Sequence, residues 1–183
     1  MQEISEHLNC SVNKIVYWMQ KHRINTRTRS EATYTKKHPK GDPFNIKKNL
    51  TPSDQKLFGL GIGLFLGEGH KRNQLAIRVA NSEPKIIKIF MNFLVKICGV
   101  KARDISFYLM IFNNADPQKA RKTWIKELGI KPTQIRGKNT ILKPRGKGTY
   151  RHKQNNGVII LQYNNKKLRE IIGRWIENLD KPL

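Results

Sequence analysis

Acidic residues are in short supply in this chain: 13 Asp or Glu stand against 36 Lys or Arg in 183 residues, a formal net charge of +23. Self-repulsion on that scale is normally relieved by a polyanion, which makes nucleic acid the first partner class to expect and an anionic membrane surface the second. Cysteine is scarcer still, with only Cys10 and Cys98. Two distant thiols give neither a disulfide framework nor a zinc-ligand spacing, and both read as buried, reduced side chains of an intracellular protein. The five histidines are scattered and add no metal-ligand pattern. No apolar run nears the roughly 20 residues that a membrane helix needs, and the sequence carries no leader or lipidation signal. The expectation is a cytoplasmic, DNA-associated protein that is not secreted and has no membrane segment.

The few acids fall unevenly. Between Glu127 and Glu170 there is none, while eleven Lys or Arg occur there; from His7 to Ser53 only Glu31 and Asp42 interrupt the basic residues. A solvated charge face normally mixes signs, so long single-sign tracts point to a surface that faces phosphates.

The length suits one compact domain with a small accessory module. Residues 2–24 predict two short helices around the turn Asn9-Cys10-Ser11, with Ser11 as N-cap and an apolar stripe of Ile4, Leu8, Val12, Ile15, Val16 and Met19. This resembles a resolvase-like helix-turn-helix, whose complete three-helix form would need one more helix before Met1. The resemblance implies that the second helix enters the major groove through Val12, Asn13 and Lys14, with Tyr17 one turn on. Residues 25–50, polar and broken by Pro39, Gly41 and Pro43, predict a basic linker that tethers two modules to one duplex.

The main domain is expected over 51–183. Thr51-Pro52-Ser53-Asp54 is a helix start with a capping box. Alternation over 75–80 predicts a strand, and Ser82 is expected to cap a helix with apolar residues at Ile86, Ile87, Phe90, Leu94 and Ile97. A strand over 105–112, a helix from Asp116 to Leu128, a strand with a basic outer face at Gln134, Arg136 and Lys138, a strand over 157–163 and a final helix to Leu179 complete an α+β order. Trp124 and Trp175 fall on helix core faces.

The first helix of this domain is the most informative stretch. Phe58 to Gly69 read F-G-L-G-I-G-L-F-L-G-E-G, apolar apart from Glu68, with glycine at every fourth position: Gly59, Gly63 and Gly67. Each costs about 1 kcal/mol relative to alanine in a helix interior, so a glycine row needs a reason, and close approach of a second helix is the usual one. Glu68 then stands at a helix C-terminus, where the macrodipole disfavours an acid.

Residues 61–69, G-I-G-L-F-L-G-E-G, resemble the motif of the LAGLIDADG homing endonucleases. Gly63, Leu64, Gly67, Glu68 and Gly69 fit; Glu68 stands where most members have aspartate, and Leu66 replaces the first aspartate of the consensus. The family core is helix, two strands, helix, two strands, helix, so His70–Asn73 would be a very short first strand and the helix over 116–128 an insertion. With one motif per chain, the resemblance implies a homodimer whose paired helices meet along Gly59, Gly63 and Gly67. Glu68 would then be the catalytic metal ligand, with Gly67 lending its carbonyl and Mg²⁺ as the cofactor. Arg78, Gln134, Arg136 and Lys138 would lie on the DNA-facing sheet. Lys143, Arg145, Lys147, Arg151 and Lys153 would follow in the acid-free loop, and Lys147, Arg151 or Lys153 would supply the basic residue near the scissile phosphate. The implied activity is site-specific cleavage of double-stranded DNA. The alternatives are a non-catalytic DNA-binding regulator on a decayed nuclease fold and an RNA-binding or splicing-assistance protein.

Overall fold

The structure is a computed structural model, and it describes residues 1–112, 115–137, 140–142 and 156–179. The chain divides into two compact units, Met1–Asp42 and Pro43–Leu183.

The first unit holds α1 (Gln2–His7), α2 (Val12–Lys21) and α3 (Arg29–Lys37). Ser11 caps α2 as its sequence implies, its side-chain oxygen accepting from the Lys14 N–H at 3.3 Å. The turn before it passes through Asn9 at φ +45°, a left-handed conformation that asparagine tolerates. Ile15 is the buried side chain of these helices. Cys10 is half-buried, not buried as expected.

Helix α3 corrects the linker reading of 25–50. Thr28 and Glu31 form a reciprocal capping box: the Thr28 N–H donates to Glu31 Oε2 at 2.7 Å, and the Glu31 N–H donates to Thr28 Oγ1 at 3.2 Å. Two of the orphan donors at the helix start are thereby satisfied, which fixes where the helix begins.

The second unit begins eight residues before the expected boundary at 51. Phe44 is buried, the Asn45 N–H donates to the Cys98 carbonyl at 3.0 Å, and the Lys47 N–H donates to the Ile97 carbonyl at 2.8 Å. Gly99, at φ +67°, lies so close to the Asn45 backbone that no Cβ fits between them.

Helix α4 (Pro52–Glu68) follows, then β1 (Ile77–Asn81), α5 (Pro84–Asn92) with a π-helical continuation over Phe93–Ile97, β2 (Ser106–Phe112), α6 (Pro117–Leu128), β3 (Thr140–Leu142), β4 (Val158–Tyr163) and α7 (Lys166–Glu177). The four strands form one sheet in the order β1-β4-β2-β3, with β4 antiparallel to both neighbours and β3 parallel to β2. The class is α+β. Gly69 bridges Val79 in antiparallel fashion, and the His70 N–H donates to the Arg78 carbonyl at 3.0 Å. The short strand expected near His70 is thus a bridge at the edge beside β1.

Strand parity builds the core. Ile77 and Val79 of β1, Phe107, Leu109 and Ile111 of β2, and Ile159, Leu161 and Tyr163 of β4 are buried together with Ile62 and Phe65 of α4, Ile87 and Phe90 of α5, Trp124 of α6, and Leu168 and Ile172 of α7. Trp124 sits in the core as expected, its indole N–H donating to the Asn156 carbonyl at 2.7 Å. Trp175 packs partly buried against the same cluster.

Two expected details differ. Glu83, not Ser82, is the N-cap of α5, and it makes no side-chain cap bond. The strand expected at Gln134 and Arg136 is a 3-10 turn over Pro132–Gln134, after which Ile135 alone bridges Phe107. Proline fixes φ and has no N–H to give a ladder, which favours the turn.

Candidate functional site

Helix α4 is positioned from its first turn. The Asp54 N–H donates to Thr51 Oγ1 at 3.3 Å, and the Thr51 N–H returns a bond to Asp54 Oδ2 at 3.0 Å. Lys47 Nζ reaches the same oxygen at 2.6 Å. The Lys47 ammonium and the Thr51 donors hold the Asp54 carboxyl down at about 2, from an ordinary 3.8. Four turns on, the helix ends at Glu68, which is exposed to solvent.

The five glycines of this segment divide into two groups. A Cβ at Gly61 would collide with the ring of Phe93, and one at Gly69 with the Phe65 carbonyl. These two are glycines because of packing inside the chain. Gly59, Gly63 and Gly67 are exposed, and a Cβ on any of them would meet nothing within 4 Å. They share that surface with Leu60 and Leu66, which are 44% and 41% exposed. The intrachain fold therefore leaves the glycine row without a partner among the described residues.

On the sheet, the even-numbered residues face away from the helix-packed core. Arg78 of β1 pairs with Gln162 of β4, which pairs in turn with Ser106 of β2. Arg136 extends this cross-strand row, its Nε donating to Ser106 Oγ at 2.9 Å while its backbone N–H donates to the Phe107 carbonyl at 2.7 Å. Gln162 Nε2 donates to Asn164 Oδ1 at 2.6 Å. Two guanidinium side chains thus belong to one polar row, and Arg78 Nε is buried with no hydrogen-bond partner among the described residues. Directly opposed residues of adjacent strands lie about 5 Å apart at Cβ, so the row forms a continuous polar band.

Gln134 does not join it. Its Nε2 donates to the Ala102 carbonyl at 2.8 Å and the Ile105 carbonyl at 3.0 Å, while its Oε1 accepts from the Lys131 N–H. The side chain is spent on closing a turn, so its amide is engaged within the chain rather than on the polar row that the resemblance would place against DNA. Lys138, Lys143, Arg145, Lys147, Arg151 and Lys153 lie outside the described residues.

In the first unit, Val12, Asn13, Lys14 and Tyr17 are all exposed on the first two turns of α2. An aromatic and basic cluster that the sequence alone did not single out lies beside them. Trp18 stacks on His22 at 5.5 Å and meets Tyr17 edge-on at 5.6 Å, with Lys21 Nζ 4.7 Å from the Trp18 ring centre. Trp18, Lys21 and His22 recur at helical spacing of three and four, which is the signal that would have found them. Ser106 and Gln162 were missed as well, because their place in the row depends on β4 lying between β1 and β2.

Among the described residues no three His, Cys, Asp or Glu side chains converge. Cys98 is buried and inert, its thiol pushed up to about 12 by desolvation. No helix among the described residues is long and apolar enough to cross a membrane. Comparison of the chain with family models, with curated proteins and with solved structures finds no match.

Proposed function

We propose that the chain is a site-specific double-stranded DNA endonuclease of the LAGLIDADG type that works as a homodimer with a divalent metal. The observation that carries the reading is the exposed row Gly59, Gly63 and Gly67 on a helix that ends at Glu68. Nothing among the described residues accounts for those three glycines, and together they forgo roughly 3 kcal/mol of helix propensity. A second copy of α4 seated on the row accounts for all three, and it sets two Glu68 side chains at one end of the pair.

The order of elements supports the reading. Helix α4, the bridge at Gly69, β1, α5, β2, β4 and α7 follow the family's helix–two strands–helix–two strands–helix sequence, with α6 and β3 inserted between β2 and β4.

The donors fit a hard cation only when two copies combine. At the end of α4 one chain offers the exposed carboxylate of Glu68 beside last-turn carbonyls, including that of Gly67, which lack intrahelical partners. Two such sets, with phosphate oxygens of the substrate, match the oxygen chemistry that Mg²⁺ prefers. Mg²⁺ bound there would neutralise phosphate charge and lower the pKa of a bound water. The protein's own share is to hold the acid rigidly at the end of a capped helix and to grip the duplex. Arg78 and Arg136 supply charge to the sheet face, Gln162 and Ser106 supply hydrogen-bonding groups, and α2 adds contacts through Asn13, Lys14 and Tyr17.

A DNA library incubated with the protein and Mg²⁺ tests the proposal. Double-strand cuts at a defined site that vanish in Glu68→Gln, with binding retained, support it. One observation favours a second reading, a DNA-binding regulator without cleavage: the acid is a glutamate, one methylene longer than the family's usual aspartate, which re-aims the carboxylate. Tight specific binding with no cleavage of any library member would select that reading, and a preference for structured RNA would remove both.

A further inference from the structure

Arg169 is an arginine in the wrong place for an ordinary surface charge. It sits in the first turn of α7 and is 7% exposed. Its Nη2 donates to the Lys71 carbonyl at 3.3 Å, and its guanidinium carbon stands 5.0 Å from the centre of the Phe65 ring. Its Nε is buried with no partner among the described residues, and no carboxylate among them bonds to it. The nearest acid in sequence, Glu170, is exposed and is engaged by Lys166 at 3.5 Å. Burying a guanidinium against one carbonyl and one ring face leaves most of its five donors without a partner among the described residues and its charge offset only by the ring.

Space for the missing counter-charge lies next to it. A cleft of about 610 Å³ is bounded by Phe65 and Leu66 of α4, Lys71 of the turn that follows, and Arg169, Gly173 and Arg174 of α7. Gly173 keeps the cleft open beside the guanidinium, since a Cβ there would stand 3.2 Å from Arg169 Nη1. Lys71, Arg169 and Arg174 border this cavity together with two carboxylates, Glu177 and the Glu170 that Lys166 engages, so cations outnumber acids by one. Its size falls within the roughly 300–1,000 Å³ of small-ligand pockets. Leu66 and Ile176 give it an apolar wall.

We propose that this cleft between α4 and α7 is a phosphate-binding site, with Arg169 as the central anion contact and Lys71 and Arg174 at its mouth. A phosphate offers several oxygens to a planar guanidinium fork and more negative charge than a carboxylate, so it suits a buried arginine to which no carboxylate among the described residues bonds. The ligand is a phosphate ester, carried by a free nucleotide or by a nucleic-acid strand. The cleft is separate from the polar row on the sheet but shares Leu66 with the surface of the glycine row, and a titration without divalent metal reads its occupancy apart from cleavage.

The test is calorimetric titration of the full chain, freed of nucleic acid, at constant ionic strength and without divalent metal. The titrants are inorganic phosphate, 5′-AMP and a short DNA duplex. Arg169→Met and Gly173→Ala are compared with Lys126→Met, which removes one exposed charge from α6. Saturable binding of phosphate or AMP is expected, weakened about tenfold or more in Arg169→Met, weakened in Gly173→Ala, and unchanged in Lys126→Met. AMP binding well ahead of phosphate assigns the site to a nucleotide; an Arg169-dependent preference for duplex over both assigns it to a backbone phosphate. Should Arg169→Met fail to fold, Lys71→Met at the exposed mouth takes its place. Unchanged affinity in Arg169→Met or its replacement, or an equal loss in Lys126→Met, overturns the proposal.

Discussion

Gly61 of α4 lies directly against the ring of Phe93, a residue wholly buried where α5 passes into its π-helical turn. Two residues further along the same helix, Gly63 faces open space. Gly61→Ala should therefore destabilise the fold by about 1–3 kcal/mol through overpacking. Gly63→Ala should stabilise an isolated subunit by up to about 1 kcal/mol through helix propensity. Urea unfolding at low protein concentration measures both, and a costly Gly63→Ala under those conditions counts against an unpartnered row.

Gly63→Leu adds a branched side chain where the proposed second helix must approach, so the dimer should dissociate while each subunit stays folded. Light scattering coupled to size-exclusion chromatography reads the mass. A monodisperse dimer of Gly63→Leu would remove the explanation offered for the three glycines.

On the sheet face, Arg78→Ala and Arg136→Ala should each weaken duplex binding and flatten its salt dependence. Removing one phosphate-binding cation lowers the slope of log K against log salt by about 0.9 for B-DNA. Arg136→Ala should have the smaller effect, because part of its donor capacity is already given to Ser106. Fluorescence anisotropy across a salt series settles the order.

Asp54 predicts an acid-range signature. Its carboxyl is lowered from 3.8 to about 2 by Lys47 and Thr51. A depressed pKa contributes stability that is fully present above the unfolded value and is lost as pH falls through the folded one. The wild-type chain should thus lose an increment between about pH 4 and pH 2 that Asp54→Asn does not lose. Melting temperatures of the two proteins across that interval provide the check, and parallel curves would show that the pair contributes nothing.

Phe44 tests where the second unit starts. Phe44→Ala should cost about 3 kcal/mol, whereas a true linker residue would cost almost nothing. Chemical denaturation of the variant distinguishes the two.

Much of the architecture is legible in the sequence because local chemistry decides it. The Thr51–Asp54 capping box and the alternation of Ile77 and Val79 around Arg78 give α4 and β1 directly. The same chemistry announces α3, whose Thr28-x-x-Glu31 start is a second capping box masked by its polar, basic composition. Gln134 and Arg136 alternate like strand residues, yet Pro132 starts a turn, and the amide of Gln134 is drawn to the carbonyls of Ala102 and Ile105 about 30 residues away. The polar row is not local at all. Gln162 joins Arg78 to Ser106 only because β4 enters between β1 and β2, which no spacing along the chain reveals. Arg169 follows the core residue Leu168 by one position on an amphipathic helix, where solvent exposure is the default expectation, and only the tertiary packing shows that it is buried.

The register of β4 has a consequence for how this surface can change. Leu161 faces the core and Gln162 the polar row, so the two surfaces are one alternating pattern seen from opposite sides. A one-residue slip would carry Gln162 into the core and Leu161 into the row. The chemistry of this face can therefore drift by substitution, one side chain at a time, but not by insertion within the strand. Insertions are tolerable in the connection from β2 to β4, where the chain already holds α6 and β3.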